Sequence, residues 1–481
     1  MKKWRFYLEC LALLAVFMFT ACGDDELELV SPGTLSISSL DDMYEAVRGT
    51  ELDITYTANA QDGIAKVVTI VNDVSSEITP TGQSNYTGTV SFTIPSDAVL
   101  NDKYDIVIEV IDVEGDKQSA SSSIVASALL TVPPSTYIFE REGATTVSFS
   151  GQNERLDQVE EIKEYLKLGD GGVLIAASVL SDAYSNANEN GNDFFSFSST
   201  KQLKNKSFQP DLDVGFMENL FLSAEEASKT GITAANGQAG LIVRENSGNT
   251  VLVSANGREY AQMIEKGLMG TVMYNQIFNT YFSDDRTGDG VENTALRDGK
   301  NNTDMEHHWD EAFGYWNPPL DFTSDWPPER ASEDRFWSHY SNTVDPYLGT
   351  NDRLMQAFLA GRTAIVNNDL STKTQKRSEV AENLELVAAG VAVHYINSTL
   401  AAINESKTGE AFHTLTEAWT FVNALKYNAN RRMTLEQIEQ INESDFGADG
   451  NFWNVTVEGL NKAKTSLVSV YNELESSKDE L

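Results

Sequence analysis

The hydrophobic pattern of the chain changes its period once, near Pro133-Pro134. Before these prolines, apolar and polar residues alternate, as in KYDIVIEV at residues 103–110. Alternation with period two is typical of strands that bury one face. Beyond Gly151, apolar residues recur at steps of three and four, which is the spacing of one face of a helix. Because paired prolines disfavour a helix, we place a domain boundary there.

The residues before this boundary predict a small all-β domain. Residues 35–130 contain short alternating runs separated by Asp, Gly, Asn and Pro, a pattern typical of a β-sandwich. The run Tyr-x-Ile-x-Ile-x-Val-x-Asp-x-x-Gly, from Tyr104 to Gly115, resembles bacterial immunoglobulin-like modules. That resemblance implies a stalk or adhesion unit, and we interpret the domain as a spacer.

The residues after the boundary predict a mainly helical domain over residues 137–481. A chain of 481 residues exceeds what one hydrophobic core normally supports, which agrees with two domains. The stretch AGLIVRENSGNTVLVSANG has two apolar runs around SGN and predicts a β-hairpin. The predicted helices are 257–282, 303–314, 351–367, 376–404, 409–427 and 454–477. The predicted fold class is therefore multidomain, with an all-β sandwich followed by a helical bundle that carries a small hairpin.

The first 21 residues have the pattern of a bacterial lipoprotein signal peptide. A basic MKKWR precedes an apolar stretch that is too short for an ordinary membrane span. The sequence FTAC then resembles a lipobox, which implies cleavage before Cys22 and attachment of lipid to that residue. The alternative is an ordinary secretion signal.

Cysteine usage agrees with lipid attachment. The chain has only Cys10 and Cys22, so the mature protein would contain no disulfide and no free thiol. The acidic GDDELE after Cys22 resembles the signal that sends some Gram-negative lipoproteins to the outer face of the outer membrane. We therefore expect an outer-membrane, lipid-anchored protein exposed at the cell surface, with residues 22–34 as an acidic tether.

Charge and motif content exclude several classes of function. The formal net charge of -37 repels phosphate backbones, so we expect no nucleic-acid partner. The sequence lacks the His-Glu-x-x-His zinc motif, the Gly-x-Ser-x-Gly elbow and a phosphate-binding glycine loop. We therefore expect no enzymatic activity.

Two adjacent histidines occur in TDMEHHWDEAFGYW. Thr303 and Glu306 have the spacing of a capping box, so we assign Glu306 a structural role. The spacing of His308 and of His307 from Glu311 places an imidazole and a carboxylate on one helix face, where both can bind one metal ion. The alternative is one histidine packed in the core and the other in water.

His394 is the candidate third ligand. It lies on the apolar stripe of the predicted helix 376–404 and would join the site if that helix packs against helix 303–314. The alternative is a core histidine whose polar atoms are satisfied by neighbours.

Tryptophan is concentrated beside the histidines. Four of the seven tryptophans lie within residues 309–337: Trp309, Trp316, Trp326 and Trp337. Such a cluster suits a flat ligand, either a porphyrin or a sugar ring. It equally suits a core between helices.

Residues 137–481 resemble a domain-of-unknown-function family of bacterial surface lipoproteins. The segments that carry the resemblance are TTVSFSGQNERLDQ, NGREYAQMIEKGLMG, GKNNTDMEHHWDEAFGYW, RFWSHY, LAGRTAIVNND and AAGVAVHYIN. This family is more distantly similar to the imelysin group, whose helical, iron-regulated proteins carry a Gly-x-His-x-x-Glu motif. His308 and Glu311 match its histidine and glutamate, whereas Glu306 occupies the glycine position. The resemblance implies an imelysin-like bundle used in iron or haem acquisition.

These observations predict a lipoprotein that binds iron, haem or another metal-linked ligand for uptake, with an outer-membrane transporter as partner. His308 and Glu311 are the predicted ligands, and His307 and His394 assist them. The alternative is a glycan-binding or structural accessory lipoprotein of a nutrient-import system, with the tryptophans as stacking surfaces.

Overall fold

A computed structural model describes residues 34–208 and 210–481. The predicted signal peptide, the lipidation site Cys22 and most of the acidic tether lie outside the described residues. The described chain divides into two compact units. The first contains residues 34–44, 53–92 and 104–123, and the second contains residues 45–52, 93–103 and 124–481.

The region before the two prolines is built from strands, as predicted. The strands are β1 (Leu35–Ser38), β2 (Tyr44–Val47), β3 (Glu51–Ala60), β4 (Ile64–Val71), β5 (Val74–Ile78), β6 (Asn85–Thr93), β7 (Lys103–Asp112) and β8 (Lys117–Ser127). They form two sheets, ordered β1-β3-β6 and β2-β8-β7-β4-β5. Along β7, Ile106 and Ile108 are fully buried while Asp105 is exposed, which confirms the alternation read from the sequence.

The region after the prolines is mainly helical. Its helices are α1 (Ser150–Asp170), α2 (Ala177–Ser185), α3 (Gly215–Ser228), α4 (Tyr260–Leu268), α5 (Asp284–Thr287), α6 (Asp304–Trp316), α7 (Trp337–Leu348), α8 (Thr350–Asn367), α9 (Leu370–Asn404), α10 (Thr408–Ala424), α11 (Leu435–Gln440) and α12 (Val457–Val470). Its strands are β9 (Glu140–Arg141), β10 (Ala144–Thr145), β11 (Gly240–Val243) and β12 (Thr250–Val253). β11 and β12 pair antiparallel, so the predicted hairpin is confirmed.

Helix α9 lies at the centre of the helical core. It packs against α7, α8, α10 and α12, and its residues Leu384, Val387 and Val391 are fully buried. Gly390 permits the close approach of α7, because an added Cβ would lie 2.9 Å from Cδ1 of Leu348. By length and composition α9 could cross a membrane, but 61% of its most apolar window is buried inside the protein. We therefore assign α9 to the core.

Several helical segments differ from the sequence prediction, and two of the differences have a local cause. The predicted helix 257–282 begins at Tyr260, and its second half consists of π-helical turns at Met269–Tyr274 and Gln276–Tyr281. Helix α7 was not predicted, because it contains Pro346 and its sequence WSHYSNTVDPYL has no clear three- and four-residue spacing of apolar residues. Pro346 is tolerated in the last turn, and Gly349 then ends the helix with a positive φ of 61°.

Candidate functional site

Helix α6 begins with the predicted capping box. The Thr303 hydroxyl accepts the backbone N–H of Glu306 at 3.2 Å, and the Glu306 carboxylate accepts the N–H of Thr303 at 2.9 Å. Two backbone donors that lack helical partners are thereby satisfied. The prediction that Glu306 has a structural role is confirmed.

A buried ion network fixes α6 against α8. The Arg362 guanidinium, which is fully buried, lies 3.0 Å from both Glu306 Oε1 and Asp310 Oδ1. Arg141 adds a second contact to Glu306 Oε1 at 2.9 Å, and the Tyr137 hydroxyl donates to Asp310 Oδ1 at 2.8 Å. Burial raises the pKa of Asp310 to about 6, although Arg362 opposes this shift. We call Arg362, Glu306 and Asp310 the Arg362 network.

On another face of α6, two imidazoles meet one carboxylate. His308 Nδ1 lies 3.2 Å from Glu311 Oε2, and His307 Nε2 lies 3.5 Å from the same oxygen. The three side chains are partly buried. The structure thus brings together three of the predicted ligands, which we call the His-Glu cluster.

Neighbouring side chains hold the carboxylate of the cluster in place. The Gln152 side-chain amide donates to Glu311 Oε1 at 3.0 Å, and the Tyr281 hydroxyl donates to the same oxygen at 3.2 Å. These donors come from α1 and from a π-helical turn. With Oε1 occupied in this way, Oε2 faces the two imidazoles.

The hydrogen-bond partners assign a proton to each imidazole. His307 Nδ1 lies 3.1 Å from the carbonyl oxygen of Ser148, which only accepts, so Nδ1 carries the hydrogen. His308 Nε2 lies 3.3 Å from Arg286, which only donates, so Nδ1 of His308 carries the hydrogen and donates to Glu311. Burial lowers the pKa of His307 and favours its neutral form, against the attraction of Glu311. The lone pair of His307 Nε2 therefore faces a carboxylate oxygen.

Two facing acceptors favour a cation, but the cluster is not a complete metal site. Across the described residues, no group of three or more His, Cys, Asp or Glu side chains is arranged to hold a metal ion. His308 was predicted as a main ligand, but its Nδ1 donates to Glu311 and its Nε2 faces Arg286. This leaves His307 Nε2 and Glu311 Oε2 as the available donors. The donor set therefore fits an ion that keeps ligands of its own and does not fit a closed structural site.

His394 does not join the cluster, and the prediction of a third ligand is corrected. Its ring lies 5.1 Å from that of Tyr395, and its charged neighbour is Glu417 on α10. The side chain of His394 is half-buried, and this burial lowers its pKa. The reason is packing: α9 lies against α8 and α10, whereas α6 lies against α1 and α8.

The four tryptophans are core residues, which corrects the prediction of a stacking surface. Trp309, Trp316 and Trp337 are fully buried, and Trp326 is 7% exposed beneath the guanidinium of Arg330. Their rings fill helix interfaces. For example, the ring of Trp316 stacks on that of Phe358 at 5.5 Å, and Nε1 of Trp309 donates to the carbonyl of Phe358 at 3.1 Å. In the described protein, none of these rings offers a free face to a sugar or a porphyrin.

Sequence reasoning missed a second group of ionisable residues around α10. Nδ1 of His413 lies 2.7 Å from Oε2 of Glu259, and Nε2 of His413 lies 3.5 Å from Oε1 of Glu417. The spacing of His413 and Glu417 along a predicted helix was an available signal. Glu259 is far away in sequence, and only the packing of α4 on α10 brings it close.

The model of a known family matches most of the chain. This family is described as Domain of unknown function (DUF4856), and the match covers residues 134–476. No curated protein matches the chain. The match begins at the prolines and includes both the His-Glu cluster and the residues around His413.

Proposed function

The chain belongs to the DUF4856 family, and we propose that it is the binding component of a metal-uptake system. In this proposal, the chain is anchored to the outer membrane through lipid on Cys22. The β region is an immunoglobulin-like spacer, and the imelysin-like helical region captures iron or another metal-linked ligand for an outer-membrane transporter. The His-Glu cluster is the proposed point of capture.

One distance carries the proposal. Two ligands that lie about 2.0–2.2 Å from a tetrahedral ion are about 3.3–3.6 Å apart. His307 Nε2 and Glu311 Oε2 are 3.5 Å apart, and both are acceptors. An ion between them would replace an unfavourable contact of two lone pairs with two coordinate bonds.

The surroundings of the pair support the same interpretation. Metal-binding histidines usually donate their other N–H to a carbonyl or carboxylate, as His307 donates to Ser148. Metal-binding carboxylates are usually hydrogen-bonded at their free oxygen, as Glu311 is by Gln152 and Tyr281. Both donors are thus oriented before any ion arrives.

The number of protein donors indicates which other ligands the bound metal ion keeps. Imidazole and carboxylate suit iron and zinc, but two donors leave most coordination positions open. The protein therefore binds an ion that retains water or a chelator. A site with two protein donors releases its metal ion more readily than a site with four, as delivery to a transporter requires.

The proposal predicts loss of metal binding in His307→Ala and Glu311→Gln. The chain, cleared of metal by a chelator, is titrated with Co²⁺ as a spectroscopic probe and with Fe²⁺ under anaerobic conditions. We expect one ion per wild-type chain and no saturable binding in either variant. In Gln152→Ala, which removes only an orienting partner, we expect binding to weaken by about 10- to 100-fold.

The matched control is His339→Ala, which removes an exposed imidazole beside Asp334. It should bind the metal as the wild type does. Thermal unfolding of each variant shows whether lost binding reflects lost folding. Unchanged metal affinity in folded His307→Ala and Glu311→Gln would refute the proposed site.

A further inference from the structure

A cavity lined mainly by polar residues, which we call the polar cavity, lies between four elements of the helical region. Its volume is about 380 Å³, and its walls come from α1, the β11–β12 hairpin, α4 and α10. Asp170, Glu259, Gln262 and His413 line it, together with basic residues of α1 and of the hairpin. The His-Glu cluster contributes no residue to this cavity, so the two sites are separate.

The basic residues of the cavity already have anionic partners. The Arg244 guanidinium makes two hydrogen bonds to Glu410, at 2.8 and 3.2 Å. Lys163 Nζ lies 3.2 Å from Glu265 Oε1. Lys167 Nζ lies 2.7 Å from Glu164 Oε1. Arg244 and Lys163 are thus paired with buried carboxylates and are poorly placed to bind an anion from outside, whereas the pair of Lys167 is half exposed.

The acceptors of the cavity are less fully satisfied. Asp170 Oδ1 accepts the backbone N–H of Leu252 at 2.8 Å, but the described residues provide no ion pair for this carboxylate. Gln262 Oε1 is buried and has no hydrogen-bond partner among the described residues. Glu259 is paired with His413 through a single oxygen, Oε2. The cavity therefore offers acceptor oxygens that lack donors, which is costly unless a ligand supplies them.

We propose that the polar cavity binds a small molecule through its primary ammonium group, which donates to Asp170, Glu259 and Gln262. An ammonium group has three donors and one positive charge, and this matches three acceptors of which two are carboxylates. A cavity of this volume admits a small alkylamine, whose ammonium group stays protonated at pH 8. This binding activity is independent of metal capture.

The ionisation of Asp170 gives the proposal a pH signature. Burial and then the negative charge of Glu259 raise the pKa of Asp170 to about 7, against the hydrogen bond from the Leu252 backbone and the charges of His413 and Lys167. Asp170 is thus largely protonated below pH 7 and ionised above it. An ammonium ligand binds the ionised form, so affinity rises as the pH passes upward through 7, and binding near neutral pH releases a proton.

Isothermal titration of the whole chain tests the proposal. The probes are putrescine and butylamine, whose ammonium groups stay protonated from pH 6 to pH 8, and the matched neutral compounds are butanediol and butanol. We expect saturable binding of at least one ammonium probe near pH 8 and about tenfold weaker binding near pH 6, as follows from a carboxylate with a pKa of about 7. Titration in two buffers of different ionisation enthalpy should show proton release near pH 7.

Two variants connect the result to the cavity. Asp170→Asn should weaken ammonium binding at least tenfold at pH 8 and abolish its pH dependence, while Co²⁺ binding at the His-Glu cluster stays unchanged. Asp157→Asn, on the same helix but in a partly exposed pair with Arg335 outside the cavity, should behave as the wild type. The proposal fails if neither ammonium probe binds, if the neutral compounds bind equally well, or if folded Asp170→Asn retains pH-dependent binding.

Discussion

Replacement of Arg362 by methionine is expected to lower the free energy of unfolding by about 3–5 kcal/mol. Arg362 is fully buried and contacts both Glu306 and Asp310 at 3.0 Å. Methionine fills much of the same volume but leaves two buried carboxylates without their main cation. Urea unfolding followed by circular dichroism measures the change.

A partly exposed ion pair at the start of α6 provides the control. Arg297 lies 3.3 Å from Asp304, whose side chain is half exposed. Since such pairs contribute about 0–1 kcal/mol, Arg297→Met should change stability little.

In a triple variant that adds Glu306→Gln and Asp310→Asn to Arg362→Met, part of the lost stability should return. If Arg362→Met and Arg297→Met were equally stable, the claim that the Arg362 network holds α6 against α8 would be wrong.

Truncation of Trp309 to alanine is expected to cost about 3–5 kcal/mol of stability. Its indole is fully buried. An added Cβ on Gly361 would overlap the ring, so the backbone of α8 packs directly against the indole at this glycine. Alanine leaves a large cavity and removes the hydrogen bond from Nε1 to the carbonyl of Phe358. Thermal and urea unfolding both report the loss.

This prediction separates a core tryptophan from a ligand-binding one. An aromatic ring that serves as an open platform can be removed with little change in stability. Tyr347→Ala serves as the control, because that ring is 40% exposed and its removal should cost far less. If Trp309→Ala were as stable as Tyr347→Ala, the assignment of the tryptophan cluster to the core would be wrong.

The parts of the fold that depend on local sequence could be predicted. The capping box needs only Thr303 and Glu306, three residues apart, and the structure contains both of its hydrogen bonds. The β11–β12 hairpin and helices α8 and α9 also follow from patterns within one segment. In the same way, one turn of α6 brings His307 and His308 to Glu311.

The parts that depend on packing between distant segments could not be predicted. The partners of Glu311 come from α1 and from a π-helical turn, and no local pattern indicates them. The position of His394 depends on which helices lie beside α9, and the burial of the tryptophans depends on helices that close over them. The polar cavity is the extreme case, because its walls come from four elements spread over about half of the chain.

The central position of α9 has a consequence for the order of folding. Its apolar face is covered partly by α7 and α8, which precede it, and partly by α10 and α12, which follow it. A growing chain that has reached the end of α9 therefore still exposes the most apolar segment of the helical region. We therefore expect the helical region to complete its folding only after α10 and α12 are present. For the same reason, a chain truncated after α9 would aggregate rather than form a smaller domain.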